Sequence, residues 1–155
     1  CAAASAAYRR QRQLSPALSE RLSGGSRDEA TWRALLCVAF CGLMRGGEVA
    51  VEDGGVWDAF KHLSRADVSF FRDNDGVLCV RLMMRSIKTI EATKGKCVPL
   101  ILKSGGSLLD PVLELWNLFQ LDAVAPGVMG STPLFRACDG GPIRVCDVAV
   151  SLLPF

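Results

Sequence analysis

The chain has 155 residues, half of them hydrophobic and 22% charged, with a formal net charge of +2. This composition fits one globular domain with a sizeable core and excludes a disordered chain. No apolar run reaches the roughly 18–20 residues that span a bilayer, so no membrane partner is expected, and a charge this small does not by itself point to nucleic acid.

Residues 1–13 are alanine-rich and then basic, with Arg9, Arg10 and Arg12, and read as a solvated tail or linker. No signal peptide is visible in the stretch from Cys1. Ser15-Pro16 fits a helix start, cap followed by proline, and Ser23-Gly24-Gly25 ends that helix. Trp32, Leu35, Leu36, Ala39, Phe40 and Leu43 then recur at steps of three and four, the apolar face of a helix whose first turn carries Asp28 and Glu29. Gly46-Gly47 loosens its far end, and a second helical stretch begins near Glu48.

From Asp67 the period changes to two. Val68 to Arg72 is a predicted strand, Asp73-Asn74-Asp75-Gly76 a hairpin turn, and Leu78 to Met84 a half-buried strand. A polar connection, Arg85 to Lys96, leads to a third strand over Cys97 to Leu102. It is long for a tight turn, which suggests a purpose beyond joining strands. Asp110-Pro111 opens another helix with Val112, Leu115, Trp116 and Phe119 on one face. Pro126-Gly127 marks a loop, Leu134-Phe135 a short buried run, and Asp139 to Pro142 a turn. A last helix begins near Val145. The predicted fold class is mainly α with a small three-stranded antiparallel sheet, an α+β domain over residues 14–155.

The seven cysteines form no Cys-x-x-Cys pair, and His62, the one histidine, has no neighbouring cysteine. No metal or other cofactor is expected. Cys37 and Cys41 stand at helical spacing among apolar residues and read as core filler. Abundant unpaired cysteine points to a reducing intracellular compartment.

Four segments in order carry a resemblance. The apolar helix from Ala34 ends in Gly42-Leu43-Met44-Arg45-Gly46-Gly47-Glu48. His62 to Phe70 leads into the sheet. Met83 to Thr89 and Gly95 to Leu100 form a hairpin around Lys88. Pro133-Leu134-Phe135 and Asp139 to Pro142 follow. Together they resemble the catalytic domain of tyrosine recombinases, the phage-integrase-like enzymes, and are most similar to the DIRS-like and crypton-like recombinases of eukaryotic mobile elements. The resemblance covers roughly residues 14–150.

It implies the core of DNA breaking-rejoining enzymes and a role in DNA recombination and integration, with DNA and other recombinase protomers as partners, and a nuclear location in a eukaryote. Arg45 would clamp a DNA phosphate, Glu48 would orient it or cap the next helix, and Lys88 would protonate the departing 5′ oxygen, so the charged heads of Arg45 and Lys88 are expected to face one groove. Arg85, Lys94 and Lys96 would touch the DNA backbone. The planar guanidinium fork suits two phosphate oxygens, and phosphoryl transfer needs such a clamp where charge spreads. On charge placement alone, Arg45 reads first as a cation at a helix C-terminus, worth about 0.3–1 kcal/mol, and the other reading of Lys88 is an exposed hairpin lysine.

The family pattern continues with a His-x-x-Arg box and a tyrosine nucleophile. After Lys88 this chain has neither histidine nor tyrosine. His62-Leu63-Ser64-Arg65 spells the box before the sheet, out of order, and Tyr8, the one tyrosine, precedes Arg45. The chain therefore reads as a partial catalytic domain, inactive alone. The alternatives are a catalytically dead DNA-binding remnant or domesticated module, and an unrelated helical protein.

Overall fold

The computed structural model describes residues 25–85, 97–106 and 109–151. The predicted tail, the helix from Ser15, and Lys88, Lys94 and Lys96 lie outside the described residues.

Helix α1 spans Arg27–Cys41. The Ser26 side chain accepts the Glu29 N–H at 3.2 Å, and Asp28 and Glu29 sit in the first turn, where the helix dipole favours negative charge. The expected apolar face needs correction. Ala30, Thr31, Ala34, Leu35, Cys37 and Val38 are buried, whereas Phe40 is 72% and Leu43 90% exposed. Cys37 is core filler as expected, but Cys41 is exposed. Apolar residues lie on most sides of α1, so periodicity alone does not choose the buried side.

Gly46–Val49 forms one helical turn, α2. Gly46-Gly47 thus starts the second helix rather than loosening the first, and the start falls before Glu48. A 3₁₀ turn over Arg65–Asp67 leads into strand β1, Val68–Arg72. Strands β2, Leu78–Met84, and β3, Val98–Lys103, complete an antiparallel sheet in the order β1-β2-β3. Phe70 pairs with Val80, and Val80 with Leu102, in register. The turn between β1 and β2 follows its chemistry: the Asp73 carboxylate accepts the Asp75 and Val77 N–H groups, and Gly76 takes a positive φ of 78°. Strand β3 starts one residue later than expected, at Val98.

Helix α3, Pro111–Leu121, packs against α1. Asp110 is its cap and more. One carboxylate oxygen accepts the Val112 and Leu113 N–H groups at 3.0 and 3.2 Å. The other accepts the Ser104 hydroxyl at 2.6 Å and the Gly106 N–H at 3.1 Å, tying the end of β3 to the start of α3. Since a cap alone is worth about 0.5–2 kcal/mol, Asp110→Ala is expected to lower stability by about 2 kcal/mol or somewhat more. Chemical denaturation checks this; a midpoint equal to wild type would remove the cap's role.

The core lies between α1, α3 and the sheet, with Leu35, Leu82, Leu115, Leu118 and Leu134 among its most enclosed side chains. Phe70 meets Trp116 and Phe119 edge-on at 5.1 and 5.6 Å, joining β1 to α3. The segment expected as a loop at Pro126-Gly127 is a 3₁₀ helix, Pro126–Ser131, with proline at its start. Leu134 and Phe135 are buried as expected. The turn at Asp139 to Pro142 carries Gly140 at φ 85°, and helix α4 spans Val145–Ser151.

Candidate functional site

Arg45 stands where α1 stops and α2 begins, and the stop has a specific cause. The Gly42 N–H bonds to the Val38 carbonyl, the Leu43 N–H to the Phe40 carbonyl and the Met44 N–H to the Ala39 carbonyl. This is a Schellman turn, with Leu43 in the left-handed position at φ 50°. Glycine usually takes that place. Here it comes one residue earlier, because a Cβ on Gly42 would lie 2.8 Å from the Val38 carbonyl oxygen and 2.9 Å from a Leu100 methyl. Gly42 therefore lets β3 approach the helix end, and Leu43 carries the backbone strain, of order 1 kcal/mol.

The chain emerges from this turn with Arg45 extended, at φ −77° and ψ 154°, as the N-cap of α2. The Glu48 carboxylate accepts the Arg45 N–H at 2.8 Å, and the Glu48 N–H bonds to the Arg45 carbonyl at 2.9 Å. Glu48 thus holds the Arg45 backbone and leaves its side chain out of that pairing. The Arg45 side chain is exposed, and among the described residues its guanidinium forms no ion pair. It borders a groove of about 290 Å³ together with Met44, Glu48, Met84, Val98 and Pro99. Met84 ends β2 and Val98 opens β3, so Arg45 shares a groove with the strand ends between which the Lys88 connection runs.

Arg85 is engaged within the fold. Its Nε and Nη2 donate to one Asp67 oxygen at 2.9 and 2.6 Å. The other oxygen of Asp67 accepts the Ser64 N–H and hydroxyl at 2.8 and 2.7 Å. The Asp67 carboxylate holds the Arg85 guanidinium above its ordinary pKa. Arg85 thus anchors the end of β2 to the 3₁₀ turn through Nε and Nη2, which leaves Nη1 for a DNA phosphate. Arg85→Gln is expected to destabilise the fold by about 1.5–3 kcal/mol, the range for hydrogen bonds to charged groups. A thermal melt at two salt concentrations checks it, and an unchanged Tm would return Arg85 to the surface.

His62 and Arg65 do not join Arg45. His62 Nδ1 accepts the Asp58 N–H at 2.9 Å. Arg65 is fully buried, and its Nη2 donates to Asp122 at 2.5 Å. Asp122, the C-cap of α3, also binds Arg136 through two donors and faces Arg27 Nε at 3.6 Å. Three guanidiniums surround one carboxylate. Burial pushes the Arg65 pKa down to about 10, which still leaves it charged at neutral pH. Arg65 also lies 4.7 Å from the centre of the Phe119 ring. No local sequence signal marks this cluster.

Among the described residues, no group of three or more His, Cys, Asp or Glu side chains could hold a metal. No helix there is long and apolar enough to cross a membrane. In comparisons with family models, curated proteins and solved structures, nothing matches the chain.

Proposed function

We propose that the chain is the front part of a tyrosine-recombinase catalytic domain, and that it grips a DNA phosphate with Arg45. The observation that carries this reading is the Arg45 turn. A Schellman stop and the Glu48 bond fix the backbone, while an exposed guanidinium with no ion pair among the described residues borders the groove at the ends of β2 and β3. The α+β arrangement, with the sheet between the arginine turn and the later helices, supports the same reading.

In this reading Arg45 holds two oxygens of the phosphate and stabilises charge as it spreads in the transition state. Lys88 serves as the general acid for the departing 5′ oxygen. Neither nucleotide nor metal takes part. The tyrosine attack that completes such chemistry has no counterpart after Lys88 in this chain.

Two measurements test the reading. Binding to a DNA duplex should be weak and fall steeply with salt, because phosphate contacts release counterions. Affinity that stays constant between 50 and 200 mM salt, roughly the range over which such contacts weaken, would rule out a phosphate-dominated mode. On a nicked suicide substrate the chain should form no covalent adduct. A tryptic mass placing DNA on Tyr8 would overturn that expectation.

A further inference from the structure

Among the described residues, the buried arginine cluster at the opposite end of α1 has a charge imbalance. Arg65, Arg136 and Arg27 converge on Asp122. The charges that act on Arg65 are those of Asp122, Arg136 and Arg27, one carboxylate against two further cations. The partial negative charge at the C-terminus of α3, about half a charge, offsets some of the excess. The acids nearest in sequence to Arg27 and Arg65, namely Asp28, Glu29 and Asp67, form no ion pair with the cluster among the described residues, and Asp67 pairs with Arg85 instead.

Donors are in excess as well. Among the described residues, Arg65 Nε and Nη1 and Arg27 Nε are buried without a hydrogen-bond partner. The Arg65 backbone N–H is satisfied by the Thr132 carbonyl, so the shortfall lies in the guanidinium. Phe119 covers part of its face but accepts no conventional hydrogen bond. A buried cation short of acceptors is costly. Arg65 is sealed, whereas the Arg27 and Arg136 side chains are 31% and 23% exposed and form the rim. Arg27 also opens α1, where the helix dipole adds positive potential. A guanidinium fork favours planar or tetrahedral oxyanions.

We propose that the Arg27–Arg136 rim, backed by buried Arg65, is an oxyanion-binding site that takes a phosphate group. Arg27 Nη2 donates to the Ala137 carbonyl and Arg136 Nε and Nη2 donate to Asp122, so the rim residues touch the ligand through their Nη1 groups. Arg65 supplies fixed charge behind them, and Asp122 holds the three forks in place. The site is separate from the Arg45 groove: α1 has 15 residues, about 22 Å at helical rise, and the two sites flank its ends. The inference therefore does not rest on the recombinase reading.

The test uses the full chain, inorganic phosphate as the probe and sodium chloride at equal ionic strength as the control. Phosphate is expected to raise Tm saturably, by about 3–6 °C at roughly ten times its Kd. The shift should disappear in Arg27→Gln/Arg136→Gln and shrink in Arg27→Gln alone, a milder change at the more exposed rim residue. Phosphorus NMR line broadening on the folded single variant provides a second readout. Phosphate and chloride curves that coincide, or a double variant that keeps the full shift, would overturn the proposal. A duplex-DNA arm identifies the source of the phosphate. Weaker DNA binding by the rim variants assigns a backbone phosphate, and unchanged DNA binding with lost phosphate binding assigns a free one.

Discussion

Asp122→Ala is expected to lower the stability of the fold by about 3–5 kcal/mol, the cost of removing one partner from a buried ion pair. For a domain of this size that is roughly 6–20 °C in Tm. The side chain is 6% exposed and is the carboxylate on which Arg65, Arg136 and Arg27 converge. Without it the Arg65 guanidinium, 1% exposed, keeps its charge and loses its counterion. It cannot turn into water, because its backbone is fixed by Thr132 and its plane lies over Phe119. Arg136 and Arg27 reach solvent and lose less.

Asp122→Asn should fall between, since the amide oxygen still accepts but the charge is gone. The pair replacement Arg65→Met/Asp122→Leu should recover part of the single-variant loss, because an apolar pair removes the stranded charge. Chemical denaturation of the four proteins gives the comparison. A cost below about 1 kcal/mol for Asp122→Ala, the range typical of exposed pairs, would show that the cluster is hydrated and that Arg65 is not confined.

How much of this was legible in the sequence depends on the range of the force involved. β1, the Asp73–Gly76 turn and the Asp110-Pro111 helix start were legible, because each depends on residues within a few positions: alternation, an aspartate that accepts nearby N–H groups, a proline at a helix start. The buried side of α1 was not legible. Its apolar residues surround the helix, and α3 and the sheet decide which of them are covered.

Arg65 shows the same limit more sharply. Its counterion stands 57 positions away, and no local pattern announces that pairing. Asp67 and Arg85, 18 positions apart, likewise meet only through the β1–β2 register and the 3₁₀ turn. Arg45 stands out in the sequence only through the resemblance carried by Gly42-Leu43-Met44-Arg45-Gly46-Gly47-Glu48, and the turn that positions it does not stand out at all. A sequence rule puts glycine at the left-handed position of a helix stop. Here Leu43 holds that position, because Gly42 is needed where Leu100 approaches.

Arg45→Ala should weaken binding to a DNA duplex by about 10–100-fold at low salt, the loss of charge-assisted hydrogen bonds worth about 1.5–3 kcal/mol. The slope of log affinity against log salt should fall by about 0.9, one phosphate contact. Both effects should appear without loss of stability, because the side chain is exposed and the Glu48 bond is made to the Arg45 backbone, which alanine retains. Arg45→Lys separates charge from geometry. A lysine keeps the salt slope as a point charge but loses the fork, so its affinity should lie between wild type and alanine. Arg85→Gln is the contrasting variant: its fork is engaged by Asp67, so it should change Tm more than DNA affinity. Fluorescence anisotropy with one labelled duplex across a salt series measures all four proteins. If Arg45→Ala keeps both the affinity and the slope of wild type, Arg45 touches no phosphate, and the arginine turn is only a helix stop.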